Sequence, residues 1–160
     1  MKRKIYVETS IISYLTALPS REIIGAAHQQ ITAAWWAHRH DYELLVSRAV
    51  WQECAAGNPE AAERRLAALA GMTMLAVTED MVSMAEDLIV SRIVPKKAFE
   101  DALHIAISTL HRVDFLLTWN CRHIANPIIQ EKIAAYLEQR GLFLPLICTP
   151  EELLGGVEDD

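Results

Sequence analysis

The apolar positions fall into short compact runs separated by longer stretches of helical period. Lys4 to Val7 is a brief β-prone segment that stops at Glu8-Thr9-Ser10. Runs this short, bounded by polar residues, read as buried strands. Thr9 and Ser10 suit a helix N-cap, so IISYLTAL continues as a short helix to the break at Pro19-Ser20. From Ile23 to His40, residues Ile24, Ala27, Ile31, Ala34 and Trp35 recur near a 3.6-residue period and predict a long helix. Glu43 to Ser47, around LLV, predicts a second strand, and Arg48 to Ala56 a helix closed by Gly57-Asn58-Pro59.

The same alternation continues to the end. Glu60 to Ala70 reads as helix, Met72 to Val77 as a third strand, and Glu79 to Val90 as a helix capped by Thr78. Pro95 opens KKAFEDALHIAISTLHR, an amphipathic helix with Phe99, Ala102, Leu103, Ala106, Ile107 and Leu110 on its apolar face. FLLT predicts a fourth strand, and Ile128 to Arg140 a helix ended by Gly141. LFLPLICTP predicts a last strand at the sheet edge, where Pro145 is tolerated. Strands alternating with helices imply a parallel sheet covered on both faces. The expected fold is a three-layer α/β/α sandwich with a central, mainly parallel sheet of about five strands. It spans residues 1–155 as one domain, with 156–160 as an acidic, frayed tail.

Composition narrows the functions. With 160 residues and 52% hydrophobic side chains, there is material for a full core. Charges interrupt every apolar run before it reaches membrane-spanning length, and MKRKIYVETS is too short in apolar residues for a signal-peptide core. A cytoplasmic protein without membrane contact is expected. Cys54, Cys121 and Cys148 are odd in number and form no C-x-x-C pair, so buried free thiols are expected rather than disulfides or a zinc ribbon. A net charge of −6 argues against a broad basic face for non-specific DNA binding. It leaves nucleic acid open, because a bound cation reverses the local field.

Candidate chemistry gathers where strands end, since ligands of open α/β sheets bind outside the carboxyl ends of the strands. Glu8 ends the first strand, and Thr118, Trp119 and Asn120 end the fourth. Alone, Glu8 is explained as a carboxylate at the positive end of a helix. Glu53 sits on the helix after the second strand, where an exposed helical acid would account for it. Asp101, His104, Ser108 and His111 form a polar stripe that periodicity alone reads as a solvated face. Asp101, however, lies on the border of that stripe among residues expected to be buried. LLTWNCRHIANP delivers an unusual set of polar groups to one strand end.

YVETS, AVWQE, DALHIA and LLTWN, in that order over nearly the whole chain, resemble the four-part pattern of the PIN-domain family. That family comprises metal-dependent ribonucleases and includes the VapC-type toxins of type II toxin–antitoxin pairs. The resemblance implies Glu8, Glu53 and Asp101 as catalytic, metal-binding carboxylates, with Asn120 at the fourth position. Thr9 and Thr118 become supporting polar neighbours, and Arg122 and His123 phosphate contacts. Glu8 stands where aspartate is usual, and Asn120 replaces a common aspartate, removing one negative charge. The implied cofactor is Mg²⁺ or Mn²⁺, which prefers hard oxygen ligands. The implied substrate is RNA, cleaved to leave a 5′-phosphate end. The implied partner is an antitoxin seated in a groove lined by Lys96, Lys97 and Arg122, with Ile11, Ile12 and Leu15 read either as an apolar ledge for it or as ordinary core. A homodimer is a further expected association.

Competing enzyme classes lack their signatures. A haloacid-dehalogenase-like phosphatase needs D-x-D where this chain has ETS, and a receiver domain needs a late strand-end lysine absent from LFLPLICTP. Neither G-x-G-x-x-G nor G-x-x-x-x-G-K occurs. The non-enzymatic alternative is a catalytically weakened PIN-like module that binds nucleic acid or protein, and Asn120 is the feature that favours it.

Overall fold

The central strand is buried throughout its carboxyl half: Ile5, Tyr6 and Val7 of β1 (Arg3–Val7) are wholly inaccessible. A continuous apolar run of this kind belongs in the middle of a parallel sheet. The computed structural model describes residues 1–155, and the acidic tail expected over 156–160 lies outside the described residues. Around β1 are β2 (Tyr42–Ser47), β3 (Thr73–Leu75), β4 (Phe115–Leu117) and β5 (Leu146–Cys148). The order is β3-β2-β1-β4-β5 and every pairing is parallel.

Among the described residues, eight α-helices connect and flank these strands: α1 (Thr9–Thr16), α2 (Ile23–Trp36), α3 (Arg48–Ala55), α4 (Pro59–Ala68), α5 (Glu79–Val90), α6 (Phe99–Leu110), α7 (Pro127–Glu138) and α8 (Pro150–Leu154). The chain moves outward from β1 through β2 to β3, then returns across the sheet to β4 and β5. Right-handed crossovers place the helices of these two journeys on opposite faces. The contacts agree: α1 packs on α2, α3 and α4, whereas α5 packs on α6. The expected α/β fold with five parallel strands is therefore the one observed.

Differences from expectation are local. β3 is three residues long rather than six, because it pairs only with Leu45 to Ser47, and β2 gives way to α3 immediately afterwards. α2 stops at Trp36 instead of His40. Arg39 Nη1 donates to the Trp36 carbonyl at 2.9 Å while its guanidinium lies over the Trp36 ring, and Arg39–Asp41 form a 3₁₀ turn. α8 was not expected, although TPEE carries its signal. Thr149 and Glu152 make a reciprocal capping box around Pro150. The expectation of three buried thiols holds for Cys54 and Cys148 and fails for Cys121, which lies exposed on the turn after β4. The apolar ledge on α1 also fails: Ile11 and Ile12 are core residues at 0% exposure.

Candidate active site

Strand order reverses at β1, with β2 on one side and β4 on the other, and such a switch point opens a crevice at the carboxyl ends. Glu8 follows β1 there. Its backbone N–H donates to the Leu117 carbonyl at 3.1 Å, so the β1–β4 ladder continues one step beyond the strands. The Glu8 side chain caps α1, accepting from Ser10 N–H at 2.9 Å and from Ser10 Oγ at 2.6 Å. Thr118 Oγ1 donates to the same carboxylate at 2.5 Å. Glu8 is 4% exposed, and such burial of a carboxylate is tolerable only with this many donors. The helix-terminus reading of Glu8 is thus correct, and it coexists with a place in the crevice.

Glu53 arrives on α3, which begins at Ser47 directly after β2. Its Oε1 accepts from His104 Nε2, while about a third of its side chain stays exposed. Asp101 sits in the first turn of α6 and is held from two directions. Asn120 Nδ2 donates to Asp101 Oδ1 at 2.9 Å, and His123 Nδ1 donates to Oδ2 at 3.0 Å. The Asn120 amide oxygen accepts from His123 N–H at 3.0 Å. Arg122, Lys96 and Lys97 are exposed. Thr9 is buried beside Glu8, and its hydroxyl has no hydrogen-bond partner among the described residues.

His104 stands behind Glu53 in the interior. The expected solvated stripe is in fact interior at two of its positions, with His104 1% and Ser108 0% exposed. The Tyr6 hydroxyl meets His104 Nδ1 at 2.7 Å and Ser47 Oγ at 2.8 Å, completing a line from Glu53 through His104 and Tyr6 to Ser47. Burial pushes the imidazole towards its neutral form. The Glu53 hydrogen bond, with the charges of Glu53, Glu8 and Asp101, outweighs burial and raises the His104 pKa. All three acids therefore act on one buried ring. For Tyr6, burial dominates and drives the phenol pKa well above its ordinary value, so the hydroxyl stays protonated.

No protein-family model matches the sequence, and no curated relative matches it either. Solved structures do. VapC20 of Mycobacterium tuberculosis, described as a sarcin-ricin loop cleaving toxin, superposes with a TM-score of 0.56. The match covers 74% of this chain and 91% of that one at 19% identity. VapBC2 of Rickettsia felis, bound to a DNA fragment from its promoter, gives 0.53 at 11% identity, covering 91% of this chain and 98% of that one. The fold is that of the VapC toxins. At these identities the shared property is the VapC backbone, so residue roles rest on the geometry just described.

Within this VapC-like fold, two hydrogen-bonded groups stand at the carboxyl ends of the strands: Glu8, Thr118, Asn120 and Asp101 in one, and Glu53, His104, Tyr6 and Ser47 in the other. No three His, Cys, Asp or Glu side chains among the described residues stand close enough to form a metal cage as they lie. The donor chemistry nevertheless suits a hard cation. Glu8, Glu53 and Asp101 offer carboxylate oxygens, and Mg²⁺ is commonly held by one or two carboxylates, with waters and substrate phosphate completing its shell. Sequence reasoning set aside His104 and passed over Tyr6 and Ser10. Its one available signal was a histidine one turn after Asp101, and only tertiary packing reveals that this residue points inward.

Proposed function

We propose that this chain is a divalent-metal-dependent endoribonuclease and the toxin of a type II toxin–antitoxin pair, with residues 1–155 as its nuclease unit. The observation carrying this reading is the placement of Glu8 directly after β1, Glu53 on the helix that follows β2, and Asp101 in the first turn of α6 bonded to Asn120 beyond β4, in a fold shared with VapC toxins.

Glu8, Glu53 and Asp101 would hold Mg²⁺ or Mn²⁺. When bound, such an ion lowers the pKa of water and neutralises charge on the phosphodiester. The chain's own residues do the rest. Ser10 and Thr118 fix the Glu8 carboxylate, and Asn120 and His123 fix Asp101. Because its amide oxygen is engaged by His123 N–H, Asn120 acts here chiefly by orienting Asp101. Arg122, exposed on the same loop, and Lys96 and Lys97, exposed before α6, supply positive charge for RNA phosphates.

The likeness to VapBC2, solved bound to a DNA fragment from its promoter, supports an antitoxin partner here. Leu18, Ile23 and Ile24 at the α1–α2 connection are 72–88% exposed and offer an amphipathic helix the apolar contact that buried Ile11 and Ile12 cannot. One geometric fact favours the alternative of a weakened binding module: every acid of the site already accepts a hydrogen bond, and Asn120 adds no charge. Incubating the purified chain with a mixed RNA pool, with Mn²⁺ and then with EDTA, separates the readings. Cleavage that requires the cation supports the nuclease, whereas RNA retention without cleavage supports the module.

A further inference from the structure

His104 is a buried titratable group that the proposed chemistry leaves without a role. Its surroundings are more specific than a core histidine requires. Both ring nitrogens are engaged, in opposite directions. On one side, Tyr6 and Ser47 anchor it to the ends of β1 and β2, and both of those residues are wholly inaccessible. On the other, it reaches Glu53, whose carboxylate is the most exposed of the three acids on the evidence of its side chain. A glutamate on a short surface helix has three rotatable bonds, and holding it in one orientation opposes its side-chain entropy. A ring fixed at its far end by two strands supplies the restraint.

We infer that His104 is the positioning residue of Glu53: held by Tyr6 and Ser47, it takes Oε1 inward and leaves Oε2 facing the crevice. This rests on the metal-dependent reading above. The logic is that of residues standing behind metal ligands, which fix ligand orientation and whose loss commonly costs 10- to 100-fold in metal affinity or activity. His104 touches neither metal nor substrate in this scheme. Its effect passes entirely through the Glu53 carboxylate.

The experiment compares the wild-type chain with His104→Gln, Tyr6→Phe and His111→Gln. Mn²⁺ affinity is read by water-proton relaxation, kcat and KM on RNA are measured, and thermal melts report folding. His104→Gln should keep the fold and weaken Mn²⁺ binding roughly 10- to 100-fold. Its kcat should fall in parallel while KM for RNA stays near the wild-type value. Tyr6→Phe, which removes the anchor and keeps the ring, should shift both quantities in the same direction by less. His111 lies just past the end of the same helix, and its ring bonds only the Ala76 carbonyl among the described residues; His111→Gln should leave both unchanged. A purely structural His104 would lower the melting temperature without moving Mn²⁺ affinity, and that outcome overturns the inference. Should His104→Gln fail to fold, wild-type Mn²⁺ affinity in folded Tyr6→Phe overturns it equally. A wild-type chain that binds Mn²⁺ yet cuts no RNA removes the nuclease reading and leaves the affinity comparison intact. One that binds no Mn²⁺ overturns both.

Discussion

Asn120 Nδ2 donates to Asp101 Oδ1 across 2.9 Å, so the residue that lacks a charge at this strand end serves the one that has it. Where a second carboxylate would repel Asp101, an amide attracts it and fixes its rotation. The arrangement holds the Asp101 carboxylate in one orientation through both of its oxygens.

Asn120→Asp converts that attraction into like-charge contact. The metal-free variant should lose roughly 1–3 kcal/mol of stability, the usual cost of leaving a charged group without its donor. Mn²⁺ should restore that loss, because the added charge tightens cation binding. Thermal melts with and without Mn²⁺ test this; identical melts in both conditions would place Asn120 outside the cation's reach.

Asp101→Asn keeps the size of the side chain and removes its charge. RNA cleavage should fall by more than about 100-fold, beyond what loss of a supporting residue typically produces, while far-ultraviolet dichroism stays unchanged. A folded variant that still cuts at the wild-type rate would remove Asp101 from the chemistry.

Thr118→Val deletes the 2.5 Å bond to Glu8 with almost no change of shape. Both residues are buried, so the carboxylate loses a charge-assisted partner worth about 1.5–3 kcal/mol. Urea denaturation should show a lower midpoint at unchanged slope. Since Ser10 still serves Glu8, cleavage should be weakened and not abolished.

The three thiols should separate by reactivity. Cys121 is exposed and should be alkylated at pH 8, giving one adduct per folded chain by intact mass. Burial pushes the Cys54 thiol up to about 11 and Cys148 to about 12, so both remain protonated and unreactive until the chain unfolds. The sign for stability follows. Unfolded thiols ionise near 9 while these two do not, so the unfolded state holds fewer protons and stability falls as pH climbs above 9. Three adducts on folded protein at pH 8 would refute the assignment.

The fold was readable because the inner strands β1, β2 and β4 are buried toward their carboxyl ends, where short apolar runs stop at polar residues. Ile5 to Val7 and Phe115 to Leu117 are such runs, and Pro145 marks the edge before β5. Boundaries failed where a tertiary partner ran out, as at β3, or where one side chain closed a helix, as Arg39 does at Trp36. The acids could be picked out as residues at strand and helix ends. Their supports could not, because hydrogen bonds such as Tyr6 to His104 join positions 98 apart, and no local period records them. His104 shows the limit best. On a helical wheel it belongs to the polar face, yet α6 turns that part of its face toward β1 and Glu53.

The switch point also has a consequence in time. The Glu8–Thr118 bond closes a loop of 110 residues, and the neighbouring strands β1 and β4 can pair only after the intervening helices have been made. Contacts this distant in sequence form late and slowly. A chain still emerging from the ribosome therefore carries Glu8 and Glu53 apart from Asp101 and Asn120. It gains an assembled centre only once residues through Asn120 are available to fold. Until then the crevice at the switch point lacks one of its two walls.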